Sequence, residues 1–167
     1  MLDNILTLRP VTSADHADIL RINAAHRPAV AALDRHELER LLSLSDAHRV
    51  AVAGAGEIGG YMLVFDRHSD YDGEEFRYFR ARLREPFLYV DQVAVDPRQL
   101  RCGVGRRMYQ ALLELAGQTQ IGWLCCEVND LPPNPASLEF HRQLGFTVIG
   151  NGDTLDGRRV SFLLKKV

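Results

Sequence analysis

The chain has 167 residues, about the length of one domain, so we expect a single domain over residues 1–167 and no second catalytic domain. Hydrophobic residues make up 46% and charged residues 25%, which excludes disordered, collagen-like and repeat proteins. Twenty Lys and Arg against 22 Asp and Glu give a net charge of -2. This charge offers no attraction to nucleic acid or to an anionic membrane, so we expect neither as a partner.

The cysteines indicate a reducing compartment. Cys102, Cys125 and Cys126 form no C-x-x-C pair, and an odd number of them does not suit a disulfide framework. The N-terminus lacks a basic region followed by a long apolar run, and no stretch approaches the length of a transmembrane helix. We therefore expect an unprocessed cytoplasmic protein.

The first half of the chain predicts a strand, two helices and a hairpin. The elements are a strand over 2–9, helices over about 13–24 and 29–44, and paired strands over 49–53 and 60–65. Thr12 followed by Asp15 three residues later is typical of a capping box, which predicts a helix start. Pro28 interrupts the helical pattern, so we expect two consecutive helices.

The segment over 67–86 breaks this pattern. It interleaves arginines and carboxylates with four aromatic residues. Two structures fit such a sequence, a solvated helix with a loop or a lid over a substrate, and the sequence alone does not choose between them.

The second half predicts a regular alternation of strands and helices. The elements are strands over 87–95 and 121–128, helices over 104–116 and from 135 to about 144, and a closing hairpin over 146–149 and 158–164. Gly117 and Gly145 are expected to end the two helices, and Asn134 is the N-cap of the second. Because hairpins occur beside strand-helix-strand units, we expect an α/β fold with a mixed sheet.

The turn between the strand 87–95 and the helix at 104 predicts an anion site. Gly103 and Gly105 allow close approach to the backbone where the unpaired amides of a helix start converge. Arg101, Arg106 and Arg107 add positive charge. A plain tight turn is the alternative, because the segment matches neither the dinucleotide fingerprint nor a P-loop.

This segment resembles motif A of the GNAT superfamily of N-acetyltransferases. The resemblance rests on Asp-Gln-Val-Ala-Val-Asp-Pro at 91–97 followed by Gly-Val-Gly-Arg at 103–106. The family signature is Gln/Arg-x-x-Gly-x-Gly/Ala, and here Leu100 stands at its first position. Residues 134–146, Asn-Pro-Ala-Ser-Leu-Glu-Phe-His-Arg-Gln-Leu-Gly-Phe, are similar to motif B of the same family. The resemblance spans nearly the whole chain, with only about 67–86 outside it.

The resemblance implies a GNAT fold, a mixed twisted sheet flanked by helices, that binds acetyl-CoA where strands separate near Val95 and Val128. It implies pyrophosphate contacts from the backbone amides of Arg101, Cys102, Gly103, Val104, Gly105 and Arg106. The strand at Val93, Ala94 and Val95 is expected to hold the pantetheine arm and the oxyanion through its backbone. Asn134 is expected to contact pantetheine, although its role as a helix cap alone explains it.

Direct acetyl transfer needs a proton acceptor for the amine. Asp91 stands where many relatives carry Glu, and strand alternation places it on the same face as Val93 and Val95. It acts either as the base, through a water if necessary, or only by binding the charge of the amine. Tyr89 and Glu127 are further candidates.

A proton donor for the leaving thiolate is the second requirement. His141 stands where the family has Tyr, which makes it the candidate acid, and packing beside Leu138 and Leu144 is the alternative. Cys125 and Cys126 are expected to be buried strand residues rather than covalent nucleophiles. The remaining histidines show no metal-ligand spacing, so we expect no metal: His16, His26, His36, His48 and His68.

The sequence therefore predicts acetylation of a small-molecule amine by direct attack on acetyl-CoA in a ternary complex. Acetylation of a protein amine is an alternative. A module that senses acyl-CoA without catalysis is another, because the family's Tyr is missing and Asp91 is short. The sequence does not identify the acceptor amine, and it leaves open whether the protein forms a homodimer.

Overall fold

The computed structural model describes residues 6–167, and its seven strands form one mixed sheet. The elements in chain order are β1 (Thr7–Pro10), α1 (His16–Ala25), α2 (Arg35–Leu42), β2 (Arg49–Ala53), β3 (Glu57–Asp66), α3 (Glu74–Arg82), β4 (Phe87–Val95), α4 (Val104–Gln118), β5 (Trp123–Leu131), α5 (Pro135–Gln143), β6 (Thr147–Asp153) and β7 (Arg159–Lys166). The strand order is β1-β2-β3-β4-β5-β7-β6. Only β4 and β5 pair in parallel, and all other neighbours are antiparallel. The predicted mixed sheet is confirmed.

Helices cover both faces of this sheet because each face is apolar. On one face α1, α2 and α3 bury residues such as Ile22 and Phe79 against the strands. On the other face α4 buries Met108 and Leu112, with α5 packed alongside. None of the helices in residues 6–167 is both long enough and apolar enough to cross a membrane.

The N-terminal predictions are confirmed in part. Positions 2–5 of the predicted first strand lie outside the described residues, and β1 follows them. The capping box before α1 is present, because the Thr12 amide donates to the Asp15 carboxylate at 2.7 Å. The second predicted helix, over 29–44, is too long. It begins only at Arg35, where the Asp34 carboxylate accepts the Glu37 amide at 2.8 Å and caps the helix.

The segment over 67–86 contains the helix and loops of the first alternative, but the helix is not solvated on every side. It forms α3, in which Phe76 and Phe79 are fully buried in the sheet core. The three arginines of this helix, Arg77, Arg80 and Arg82, are exposed. Tyr71 lies in the loop before α3, and both Tyr71 and Glu75 line the main cleft of the protein. The segment therefore contributes side chains to the site as a fixed part of the fold.

The remaining boundaries differ from the predictions by a few residues. Gly117 does not end α4, which continues to Gln118 and turns at Gln120, a residue with a φ of 57°. β5 runs over Trp123–Leu131 and the closing hairpin is longer than predicted on both strands. The α5 prediction is confirmed, since the Asn134 side chain accepts the Ser137 amide at 3.3 Å and Gly145 follows with a φ of 87°.

Candidate active site

A cleft of about 880 Å³ opens where β4 and β5 separate. The two strands pair only over 87–90 with 123–126, so beyond Val90 and Cys126 this edge of β4 has no strand partner among residues 6–167. The Asp96 amide donates to the Gly59 carbonyl on the other side of β4. Strand alternation therefore directs the backbone groups of Val93 and Val95 into the cleft.

His26 already contacts this open edge. Its Nε2 atom lies 2.6 Å from the carbonyl oxygen of Val95, and a carbonyl only accepts, so Nε2 carries the proton and donates. The sequence pattern gave no sign of this contact, because His26 lies after α1 and 69 residues from Val95.

One end of the cleft is formed by the start of α4. Gly103 and Arg101 both adopt positive φ values, 79° and 63°, which turn the chain sharply before the helix. The Arg107 amide makes the first intrahelical bond, to the Gly103 carbonyl at 3.0 Å. The amides of the three preceding residues have no carbonyl partner within the helix and converge with the positive end of its dipole. The turn thus has the properties of an anion site.

Gly105 lets this turn pack closely against its neighbours. A Cβ atom there would lie 3.2 Å from Cζ of Phe140 and 3.6 Å from Cγ2 of Val95. Leu100, at the position where the family carries Gln or Arg, is 51% exposed beside the cleft.

The predicted coenzyme residues gather along this cleft with one exception. The residues that line it are Val93, Ala94, Val95, Arg101, Gly103, Val104, Gly105, Arg106 and Asn134. Cys102 is not among the lining residues and is exposed. Asn134 lies where both of its predicted roles require, because it caps α5 and also lines the cleft.

Asp91 lies at a β-bulge, which changes the face on which its side chain lies. Leu63 of β3 pairs with Gln92 and the next residue, Val64, pairs with Val90, so Asp91 is the extra residue of β4. The prediction that alternation places Asp91 on the face of Val93 and Val95 is wrong for this reason. Val93 and Val95 pack towards α4, whereas the Asp91 carboxylate contacts the hydroxyls on the opposite face.

Two tyrosine hydroxyls bind the Asp91 carboxylate. The Tyr71 hydroxyl donates to Oδ1 of Asp91 at 2.7 Å. The Tyr89 hydroxyl lies 3.3 Å from the same oxygen and 2.8 Å from Oε2 of Glu127. All three predicted candidates for the base, Asp91, Tyr89 and Glu127, are therefore in one hydrogen-bonded group, and Tyr71 is a member that the sequence did not reveal.

Burial controls the protonation of this group. Burial raises the pKa of Asp91 to about 6, with the charge of Glu75 adding to the rise and the Tyr71 hydrogen bond opposing it. Burial also raises the pKa of Glu127 well above its usual range, and Glu75 and Asp91 raise it further. A carboxyl group with a pKa near neutrality is suited to accept a proton during a reaction.

The charge of Arg158 lowers the pKa of both Asp91 and Glu127, but its hydrogen bonds are made to other residues. Its guanidinium donates to Glu75 at 2.7 Å, to Asn129 at 3.1 Å and to Asp156 at 2.8 Å. Among residues 6–167, no Arg, Lys or His forms an ion pair with Asp91 or with Glu127. A cationic amine at this place would therefore meet carboxylates that lack a salt-bridge partner.

His141 has a structural environment rather than that of an acid. Its Nδ1 lies 2.7 Å from the carbonyl oxygen of Ser137 and so carries the proton, which leaves Nε2 to accept from the Tyr109 hydroxyl at 2.7 Å. The ring is buried among the rings of Tyr109, Phe140 and Phe146, and burial lowers its pKa. Its only N–H is directed at the backbone, so the geometry favours the packing alternative, with these aromatic rings as neighbours.

Cys125 and Cys126 are buried strand residues, as predicted. Burial raises the pKa of both thiols well above the usual range, so neither is a thiolate at neutral pH. In the described part of the chain, no group of His, Cys, Asp and Glu side chains has the arrangement of a metal site.

Comparison with known proteins agrees with this fold and this cleft. The chain belongs to the acetyltransferase (GNAT) family, whose sequence profile matches residues 18–146. No curated protein matches the chain. The family resemblance predicted from the two motifs is confirmed. Acetyl transfer from acetyl-CoA is the activity of this family.

Solved structures show the same fold over almost the whole chain. Ard1 from Thermoplasma volcanium is 18% identical with a TM-score of 0.78, and the match covers 97% of each chain. A ribosomal-protein-alanine N-acetyltransferase from Brucella melitensis is 23% identical with a TM-score of 0.71, covering 96% of this chain and 99% of that one. The Salmonella typhimurium protein yncA, solved with its cofactor acetyl-CoA, is 24% identical with a TM-score of 0.67, covering 97% and 94%.

Proposed function

We propose that this protein transfers the acetyl group of acetyl-CoA to an amine bound beside Asp91 and Glu127. One observation carries the proposal. A single cleft has the amides of a helix start at one end, a carboxylate group without a salt-bridge partner at the other, and an unpaired strand edge between them. Such an arrangement suits an anionic coenzyme and a cationic acceptor at the same time.

The cleft offers acetyl-CoA a complementary set of groups. The pyrophosphate would accept hydrogen bonds from the amides at the turn before α4 and at its first residues, with Arg101 and Arg106 close by. The pantetheine amides would bond the open edge of β4 as an added strand. Because His26 binds the Val95 carbonyl, the free groups on that edge are the Val95 amide and both backbone groups of Val93.

The chemistry that we propose needs one protein side chain as proton acceptor. Asp91 takes a proton from the bound ammonium, and the amine nitrogen then forms a bond to the thioester carbonyl carbon. Of the backbone amides at Val93 and Val95, the one that pantetheine does not use stabilises the oxyanion that develops. As the carbon–sulfur bond breaks, the nitrogen of the tetrahedral intermediate loses its second proton to water in the open cleft, and the leaving thiolate is protonated through the same water, so His141 does not take part. Asp91 returns its proton to solvent after the products leave.

The acceptor that we propose is a small-molecule amine that is cationic at neutral pH. The ionised Asp91 carboxylate supports a positive charge there. The Glu127 carboxyl, whose pKa burial raises well above its usual range, offers a further polar contact to the amine. A protein α-amine is the second candidate, because a structure with the same fold is a ribosomal-protein-alanine N-acetyltransferase.

Binding of the coenzyme is tested first. Calorimetric titration of the protein with acetyl-CoA, with free coenzyme A and with ATP should show micromolar binding of both coenzymes and none of ATP. Gly103→Glu places a negative charge in the anion turn, and we expect at least tenfold weaker coenzyme binding, about 1.4 kcal/mol. Unchanged affinity of a folded Gly103→Glu variant would contradict the assignment of this turn.

Catalysis is tested by turnover with a panel of amines, measured as thiol release. Asp91→Asn should lower kcat by about 10²- to 10⁴-fold with little change in coenzyme affinity. Asp70→Asn is the matched control, because Asp70 is an exposed carboxylate away from the cleft. Coenzyme binding without turnover for any amine would instead favour a sensor of acyl-CoA.

A further inference from the structure

We propose that His48 is a positioning residue for the Asp91 carboxylate, acting through the part of β3 that faces the bulge. The proposal rests on the proposed function, in which Asp91 is the proton acceptor. His48 itself does not line the cleft.

His48 is held in a single orientation and a single tautomer. It lies directly before β2 and is only 3% exposed. Its Nδ1 accepts the Val64 amide at 3.0 Å, and its Nε2–H donates to the Leu41 carbonyl at 3.0 Å. An amide only donates and a carbonyl only accepts, so each nitrogen has one possible role. The imidazole thereby links the end of α2 to β3.

The Val64 contact fixes β3 opposite the bulge. β2 begins at Arg49, which pairs with Met62, so the Val64 amide lies beyond the paired part of β2. The His48 ring takes the place of the missing strand partner. Val64 in turn pairs with Val90, the residue before Asp91. A shift of Val64 would therefore change the register that makes Asp91 the extra residue of β4.

An aromatic stack carries the position of β3 to Asp91, because Phe65 follows Val64 on that strand. The His48 ring meets Phe65 edge-on, with ring centroids 5.1 Å apart. Phe65 stacks on Tyr71 with centroids 4.0 Å apart and planes within 7°. The Tyr71 hydroxyl then donates to Asp91 at 2.7 Å. Gly73 makes room for the Tyr71 ring, since a Cβ there would lie 2.5 Å from it.

His48 and Asp91 are surrounded by different titratable and charged groups, and this matters for a measurement of the Asp91 pKa. Asp46 and Arg49 are the charged groups that act on His48. Asp91 is faced by Tyr71, Tyr89, Glu75, Glu127 and Arg158. Because these two sets share no member, a change at His48 reaches Asp91 through packing and hydrogen bonds rather than through a common charge.

Two amide substitutions separate the two hydrogen bonds of His48. In His48→Asn the side-chain oxygen reaches the position of Nδ1 and can still accept the Val64 amide. In His48→Gln the amide nitrogen reaches the position of Nε2 and can still donate to Leu41, while the Val64 amide loses its acceptor. Both variants lose one buried hydrogen bond and the edge contact of the ring with Phe65, so each is a control for the destabilisation of the other and only the Val64 hydrogen bond differs between them.

We expect the two variants to differ in activity and in the titration of Asp91. His48→Gln should lower kcat by about 10- to 100-fold through misplacement of the base, with the KM for acetyl-CoA unchanged. His48→Asn should keep kcat near the wild-type value. Titration of the Asp91 carboxyl carbon by NMR should give a higher pKa in His48→Gln, because the Tyr71 hydrogen bond weakens, and an unchanged pKa in His48→Asn.

Equal kcat and equal Asp91 pKa in the two folded variants would overturn the positioning role. The NMR titration needs no turnover, so it decides the role of His48 even if the proposed function fails. That failure is recognised separately, as full activity of Asp91→Asn. An elevated Asp91 pKa in both variants would also overturn the proposal, because it would point to general loosening rather than to the Val64 contact.

Discussion

Removal of the Tyr71 hydroxyl tests the proton acceptor most directly. Tyr71→Phe keeps the ring that stacks on Phe65 and deletes only the hydrogen bond of 2.7 Å to the Asp91 carboxylate. This bond stabilises the ionised carboxylate, so its loss raises the pKa of Asp91 from about 6. The rate then requires a higher pH, because only the ionised form of Asp91 accepts the proton of the amine.

The size of the effect follows from the strength of such a bond. A hydrogen bond to a charged group contributes about 1.5–3 kcal/mol, which corresponds to a rise of about 1–2 pKa units. The acid limb of kcat should therefore move from near pH 6 to about pH 7–8. At pH 6 the variant should be about 5- to 50-fold slower than the wild type, and at pH 9 the two should be nearly equal.

The assay is the initial rate of thiol release at saturating acetyl-CoA and amine, measured from pH 5 to pH 9. Tyr78→Phe is the matched control, because Tyr78 lies in α3 and stacks on Phe162 without contact to Asp91. Its acid limb should coincide with that of the wild type. An acid limb in Tyr71→Phe that stays near pH 6 would refute the assignment of this limb to Asp91.

Three further predictions concern the fold. Gly103→Ala should destabilise the protein by about 1 kcal/mol because of its positive φ, whereas Gly117→Ala in the last turn of α4 should stabilise it by about 0.5 kcal/mol, as measured by urea unfolding. Burial lowers the pKa of His48 to about 4. As the pH falls from 7, this histidine is therefore protonated in the unfolded chain before it is protonated in the folded protein, which destabilises the fold. Between pH 7 and pH 5 the wild type should lose about 2 kcal/mol more unfolding free energy than His48→Asn, and an equal loss would show that His48 does not titrate this way. Labelling of native protein with a thiol reagent should modify Cys102 quickly and the other two cysteines only after unfolding.

The local elements were largely predictable because their signals lie within a few residues. The strand over 87–95, the capping box at Thr12 and Asp15 and the N-cap at Asn134 each depend on near neighbours, and the structure confirms them. The glycine turn before α4 could also be predicted from the sequence, because a positive φ and the start of a helix depend on neighbouring residues. Errors occurred where packing overrides local preference, as at α3, whose charged sequence conceals the buried Phe76 and Phe79.

The sequence by itself determined the family, the mixed sheet and the cleft, because two spaced motifs and the alternation of elements are linear patterns. Only the tertiary structure decided the geometry of the candidate base. A bulge is a difference of one residue between two strands, so neither strand alone reveals that Asp91 leaves the face of Val93 and Val95. The hydroxyl of Tyr71 reaches Asp91 across 20 residues of sequence, and the imidazole of His48 reaches Val64 across 16. Contacts of this kind arise from the packing of separate elements, and that packing is set by the whole core rather than by any local pattern.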